Sequence, residues 1–367
     1  MLHRQRSEYQ QTVHHPWPSA PLFWHPSLLL LLGTVGLFIF FSLHYNPEDV
    51  FSVRYVRKDD GHKMPSTKNS SYVYSWPRCQ QNMSAIYITG FSSLPAEKSA
   101  EVFLLLVIKS SPVNYDRREV LRKTWAKERL HNGVWIRRIF ISGTMDSGFE
   151  KERVNKLLEL EQSEYNDILQ WDFSDTFYNL TLKQILFLGW MERNCLSTSF
   201  LLFGDDDIFA NTDNIVEYLQ NLKDNNGNKH LFTGRLRQDT GPIRSPRSKY
   251  FIPVQVYKSE SYPPYCGGGG YLLSGYTASV IYSMSQSVDI IPIDDAYMAM
   301  CLAKAGLGPV SHKGIDIDKY DPCFYKYILV AHRFLPAQID LMWHKLHDPN
   351  LQCGLMKWII SLLVLYT

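Results

Sequence analysis

Two acidic clusters stand in this chain where burying charge is costly. Asp205, Asp206 and Asp207 follow the apolar Phe200-Leu201-Leu202-Phe203 and Gly204, and the pair Ile208-Phe209 resumes behind them. Unpaired carboxylates do not leave water willingly, so something must compensate three of them at the edge of an apolar run. One reading is a solvated turn, with Asp213 capping the helix NIVEYLQNL. The other is a hard-cation site whose oxygen ligands hold Mg²⁺ or Mn²⁺, which in turn holds phosphate oxygens. Asp294-Asp295 opens the stretch AYMAMCLAKAG. Acids there are stabilised by a helix N-terminus, and beside a metal they also suit a general base. Gly267 to Gly270 run consecutively between tyrosines and prolines on one side and YLLS on the other. Such a run lets backbone approach a ligand closely. His332 ends the apolar stretch before Arg333; a lone histidine there is more often structural than a ligand.

The elements that must position these groups alternate in type. VFLLLVIKSS from Val102, WIRRIFISG, DILQWDF and SFLLFG read as strands. Between them, NYDRREVLRKTWAKERL, EKERVNKLLELEQSEY and FYNLTLKQILFLGWMERN carry the apolar spacing of helices. Strand and helix in alternation predict an α/β, doubly wound, mostly parallel sheet. Ligands of such sheets sit beyond the carboxyl ends of the strands. Lys109, Asp172 and Asp205 to Asp207 all fall there, which favours the cation reading of the triplet.

The rest of the 367 residues frames that domain. Net charge is +2 with 45% apolar and 20% charged residues. That balance gives no electrostatic footprint for nucleic acid. Residues 27–43, SLLLLLGTVGLFIFFSL, carry no charge and read as a short transmembrane signal anchor. Residues 1–26 are then a cytoplasmic tail and 44–99 a polar stem. Asn69, Asn82 and Asn179 begin glycosylation triplets beyond the anchor, as do all six cysteines; both suit an oxidising lumen. A short span suits the thinner membranes of the early secretory pathway. The expected catalytic domain covers 100–354, and 355–367 form a hydrophobic tail too short to span a bilayer.

In order, Lys109-Ser110-Ser111, Arg117-Arg118, Arg122 to Trp125, Trp171 to Lys183, Gly204 to Asp207, Tyr262 to Gly270, Ile293 to Asp295 and Val330 to His332 resemble glycosyltransferase family 31. These are the β-1,3-glycosyltransferases of the Golgi, and the wording is most similar to the β-1,3-N-acetylglucosaminyltransferases among them. The resemblance implies a GT-A fold, a UDP-GlcNAc donor, Mn²⁺, an acceptor ending in galactose, and a type II Golgi membrane protein. It leaves room for homo- or hetero-oligomers with other Golgi glycosyltransferases. It implies Asp207 and His332 as metal ligands, Asp295 as base, and Asp205 and Asp206 at the ribose and around the metal. Arg118, Asp172 and Lys183 would line the nucleotide pocket, with Gly268 and Gly269 walling the sugar site. The pairing expected first among the cysteines is Cys301 with Cys323. Three features depart from the family: Ala296 replaces a usual valine, 315–321 is short, and 355–367 matches nothing in it. Other readings kept open are a β-1,3-galactosyltransferase, a catalytically silent lumenal glycan-binding protein and a metal-dependent phosphohydrolase.

Overall fold

The computed structural model describes residues 72–74, 102–145, 150–195, 197–317 and 322–353. The expected anchor and tails, and Asn69 and Asn82, lie outside them. No helix among the described residues is long and apolar enough to cross a membrane.

Four strands form the heart of the sheet: β2 (Val102–Lys109), β4 (Val134–Thr144), β5 (Ile168–Ser174) and β6 (Phe200–Asp205). They pair in parallel in the order β5-β4-β2-β6. The chain thus builds outward from β2 through α1 (Tyr115–Lys123) and α2 (Lys151–Tyr165). It then returns through α3 (Leu180–Asn194) to lay β6 on the other side of β2. That reversal opens a crevice between the carboxyl ends of β2 and β6, where ligands of open α/β sheets bind. Strand register makes Lys109 the neighbour of Asp205.

Beyond β6 the sheet turns antiparallel, through β9 (Tyr265–Ser274) and β8 (Phe232–Arg237), with β10 (Val310–Ser311) parallel at the edge. The strands β1 (Tyr72–Tyr74) and β3 (Arg129–His131) add antiparallel pairings to β5 and β4. β1 arises within the segment read from sequence as a stem.

Alternation along β2 explains the layering. Leu104, Leu106 and Ile108 enter one core with Leu121, Trp125 and Leu158 of the α1 and α2 side. Leu105 and Val107 enter the other with Ile185 to Met191 of α3 and with Tyr297 to Leu302. Each fully buried Leu, Ile or Phe contributes about 1.5–3 kcal/mol. A one-residue slip of β2 would exchange the two faces, so the register of Lys109 is strongly held.

Three further helices complete the layers, namely α4 (Thr212–Gln220), α5 (Gly275–Ser285) and α6 (Asp294–Lys304). Asp213 does not cap α4. Asn211 does, accepting from the Asn214 amide, while Asp213 pairs with Arg129. Near the end of the chain come α7 (Pro322–Tyr325) and α8 (Pro336–Leu346). The glycine run, read as letting backbone approach a ligand, lies inside β9 together with the YLLS that follows it.

The expected Cys301–Cys323 bridge is not formed. Cys301 on α6 is a free thiol packed in the α3-side core, and Cys323 is bonded to Cys353. Cys195 is disulfide-bonded as well, and Cys266 is free and buried.

Candidate active site

A second, small sheet brings His332 to the aspartates. β7 (Phe209–Ala210) pairs antiparallel with β12 (Val330–Ala331), which pairs with β11 (Ile315–Ile317). Ala331 lies opposite Phe209, so the chains continue past each other to bring His332 beside Asp207. The Phe334 amide donates to the Asp207 carbonyl at 2.8 Å and fixes the crossing. His332 Nε2 then stands 3.1 Å from Asp207 Oδ1. Ligand atoms of Asp205, Asp207 and His332 all lie within 4.8 Å of one another.

These residues fit a divalent cation. Asp207 Oδ1 is buried with His332 Nε2 at 3.1 Å as its neighbour, a sparse setting for a carboxylate oxygen. An imidazole nitrogen and two carboxylates converging on one point form a donor set suited to a hard or borderline metal. Asp205 therefore belongs with Asp207 and His332, whereas the family reading gave it a supporting part. Asp206 turns the other way. Its Oδ2 accepts from Ser110 Oγ and from Asn114 Nδ2, both at 2.8 Å. Burial pushes its pKa up, against these two hydrogen bonds.

Lys109 ties this cluster to the second acidic pair. Its Nζ lies 3.0 Å from Asp205 and 2.8 Å from Asp294. Burial alone would lower its pKa; Asp205, Asp294 and Asp295 outweigh that and hold it well above the usual lysine value. Asp294 also accepts from Gln184 at 2.6 Å, and Gln184 in turn accepts from the Tyr271 hydroxyl at 2.9 Å. Asp294 is thus the anchored member of its pair. Asp295, half-buried and held by the Gly268 backbone, carries a pKa pushed well above the carboxylate range, by burial first and Asp294 second.

The glycine run supports the site by what it leaves out. A Cβ on Gly269 would lie 2.4 Å from His332 Cδ2 and 2.6 Å from Ile208 Cγ2. Gly269 is therefore the seat of His332. Gly268 adopts φ +108°, at a break in the β8–β9 register, a conformation that favours glycine.

The crevice beside the aspartates has a volume of about 330 Å³ and is walled by Ser111, Asp175, Phe177 and Lys183 among others. Lys183 is among the lining residues, its Nζ 2.8 Å from both oxygens of Asp175. Burial lowers its pKa in spite of that partner. Asp175 also accepts from the Gly143 amide at 2.7 Å. Asp175 holds the place expected of Asp172, which is exposed and lines a separate depression with Thr144, Asn155 and Gln170. The displacement follows from the strand. Trp171 faces the core, so Asp172 faces away, and Asp175 comes after β5 has ended. A second acid three residues on, before the helix that carries Lys183, is the signal that could have found it.

Arg118 lies under the crevice and not in its wall. It is 1% exposed. Its five N–H donors meet both Glu161 oxygens, Ser110 Oγ and the carbonyls of Ser111 and Pro112. It shapes the loop that presents Ser110 to Asp206. Removing one partner of a buried ion pair costs about 3–5 kcal/mol, so Arg118→Met should destabilise the protein by that amount in denaturant unfolding. A loss below about 1 kcal/mol, the scale of an exposed pair, would contradict this account.

Asn179 precedes α3 and donates to the Ser174 carbonyl at 2.8 Å. Thr181 of the same triplet is buried and donates to the Ile291 carbonyl.

Taken together, a strand-switch crevice, a cluster compatible with a divalent cation and an acidic pair linked to it by Lys109 stand at the carboxyl ends of β2 and β6. The galactosyltransferase family matches residues 116–313, and the chain belongs to that family. Among its relatives, human N-acetyllactosaminide β-1,3-N-acetylglucosaminyltransferase 3 is 52% identical over 272 residues, covering 71% of this chain and 72% of the relative. A mouse acetylgalactosaminyl-O-glycosyl-glycoprotein β-1,3-N-acetylglucosaminyltransferase is 42% identical, covering 77% and 81%. Rat UDP-GlcNAc:βGal β-1,3-N-acetylglucosaminyltransferase 7 is 39% identical, covering 71% and 68%. The protein is a glycosyltransferase.

Proposed function

We propose that this chain transfers N-acetylglucosamine from UDP-GlcNAc to the 3-hydroxyl of a terminal β-galactose, on O-glycans or N-acetyllactosamine chains, with inversion. The observation that carries this reading is the convergence of Asp205, Asp207 and His332 beside the Lys109-linked Asp294-Asp295 pair. The donor and acceptor named for the relatives support it. The mixed sheet is read as a GT-A domain behind a signal anchor and stem, in the Golgi membrane with the domain lumenal.

In this mechanism Asp207, His332 and Asp205 hold the cation, Mn²⁺ in our reading. When bound, it supplies Lewis-acid stabilisation to the diphosphate leaving group. Asp206 fixes the Ser110–Asn114 loop at the nucleotide, and Lys183 and Asp175 close the wall below it. Asp295 accepts the proton of the acceptor's 3-hydroxyl as its oxygen attacks the anomeric carbon. Lys109 keeps Asp294, and with it the start of α6, in register with the aspartates.

A screen of UDP-GlcNAc and UDP-galactose against galactose- and N-acetylglucosamine-terminated acceptors, scored by UDP release and product linkage, tests the assignment. A β-1,3-linked N-acetylglucosamine product is expected. Transfer of galactose would reassign the donor. Binding of a galactose-terminated glycan without any transfer product would make the protein a glycan-binding one.

A further inference from the structure

The first turn of α6 carries Asp294 and Asp295, yet its own sequence does not fix where it starts. The N-cap is Ile293, and no side chain caps the helix there, at a position that Ser, Thr, Asn or Asp usually fills. The bonds that hold this turn come from other elements. Lys109 of β2 reaches Asp294, and the Gly268 backbone holds Asp295. Two more come from one face of α3, where Thr181 and Gln184 stand at helical neighbour spacing. Thr181 Oγ1 donates to the Ile291 carbonyl at 2.6 Å, and Gln184 Nε2 donates to Asp294 Oδ2 at 2.6 Å. Both residues are fully buried, and a buried amide is costly unless its ends are paired.

The direction of each bond is set. Lys109 donates to the same oxygen at 2.8 Å, so Asp294 Oδ2 is an acceptor and Gln184 must turn its NH₂ toward it. Gln184 Oε1 is left to accept from the Tyr271 hydroxyl at 2.9 Å. Tyr271 is itself fixed, its ring stacked on Phe203 and Phe232 at centroid distances of 5.8 and 4.7 Å. The two anchors of Asp294 differ in one respect. Lys109 is divided between Asp294 and Asp205 of the cation cluster. The side-chain bonds of Gln184, among the described residues, go to Asp294 and Tyr271.

We propose that Gln184 is a positioning residue for transfer, which with Tyr271 behind it holds the first turn of α6 so that Asp295 stands where the proton is taken. This rests on the reading of Asp295 as base and adds the residues that place it. A displacement near 1 Å at a reacting group costs about 10²-fold in rate, so two hydrogen bonds far from the substrate have leverage. Gln184→Met keeps an unbranched side chain in a core that includes Ile185 to Met191 and deletes both bonds. Its kcat should fall roughly 10- to 100-fold, with donor KM, UDP affinity and directly measured Mn²⁺ affinity unchanged. Tyr271→Phe keeps the stacked ring and removes only the hydroxyl. Its kcat should fall roughly two- to tenfold, the scale of one neutral hydrogen bond.

The readout that separates positioning from packing is a cycle with Asp295→Asn. If Gln184 acts through Asp295, adding Gln184→Met to Asp295→Asn costs little further. A residue that merely supports the fold would multiply its loss onto that variant and weaken UDP binding as well. If Gln184→Met does not fold, Tyr271→Phe takes its place in the cycle and decides alone. Normal kcat in the deciding variant overturns the inference and leaves the base standing. So does a loss that multiplies fully in the cycle, or one that appears equally in UDP or Mn²⁺ affinity. Near-normal turnover in Asp295→Asn overturns the base reading and this inference with it.

Discussion

Replacing Asp295 by asparagine is expected to lower turnover by roughly 10³-fold, the middle of the range for a lost general base, while UDP affinity persists. The expectation follows from position. Asp295 is the second residue of α6, behind an Asp294 locked by Lys109 and Gln184. The nucleotide crevice is walled by other residues. Asparagine keeps the size of the side chain and an oxygen to accept from Gly268, so folding and donor binding are preserved. Only the capacity to take a proton is lost. Calorimetric titration with UDP beside steady-state transfer separates the two effects, and near-normal turnover in the variant would remove Asp295 from the mechanism. The sign of the pH dependence adds a second reading. Burial and Asp294 raise the Asp295 pKa, and a base works deprotonated, so turnover rises as pH climbs through that raised value. Asp294→Asn removes one upward push and should move the acidic limb to lower pH.

Much of this arrangement was legible because the parallel half of the sheet follows local rules. Four apolar strands, the amphipathic helices between them, and the placement of Lys109 and Asp205 to Asp207 at strand ends all come from periodicity. The antiparallel half was not legible. Tyr265 to Ser274 form one strand through four glycines, a composition that argues against strand. What holds it is long-range pairing with β6 and β8. The role of Gly269 depends on His332, 63 residues away in the chain, and no local pattern carries that. Arg118 shows the reverse error. A basic residue among site motifs reads as a ligand contact until Glu161, on another helix, is seen to neutralise it. The Cys323–Cys353 bridge could not be read either, since six cysteines permit about fifteen pairings.

Gly269→Ala is the sharper probe of the cation site, because it alters no ligand. The added methyl would meet His332 Cδ2 at 2.4 Å and Ile208 Cγ2 at 2.6 Å, both far inside contact distance. Ile208 is buried and immobilised between the core and Asp207, so the imidazole must give way. Disturbing the support of a ligand typically costs 10- to 100-fold in metal affinity, and that loss is expected for Mn²⁺ measured directly by electron paramagnetic resonance. Gly270→Ala supplies the contrast. Its Cβ would meet the Phe203 carbonyl at 3.0 Å and Ile208 Cδ1 at 3.3 Å, a crowding that stresses the strand and spares His332. Asp207→Ala should also abolish tight Mn²⁺ binding, and does so by deleting a ligand and not by moving one. If His332 and Asp207 act on the same ion, combining Gly269→Ala with Asp207→Ala should cost much less than the sum of the two. Additive losses, or full Mn²⁺ affinity in Gly269→Ala, would mean that His332 packs against the glycine without ligating, the commoner fate of a lone histidine at the end of an apolar run.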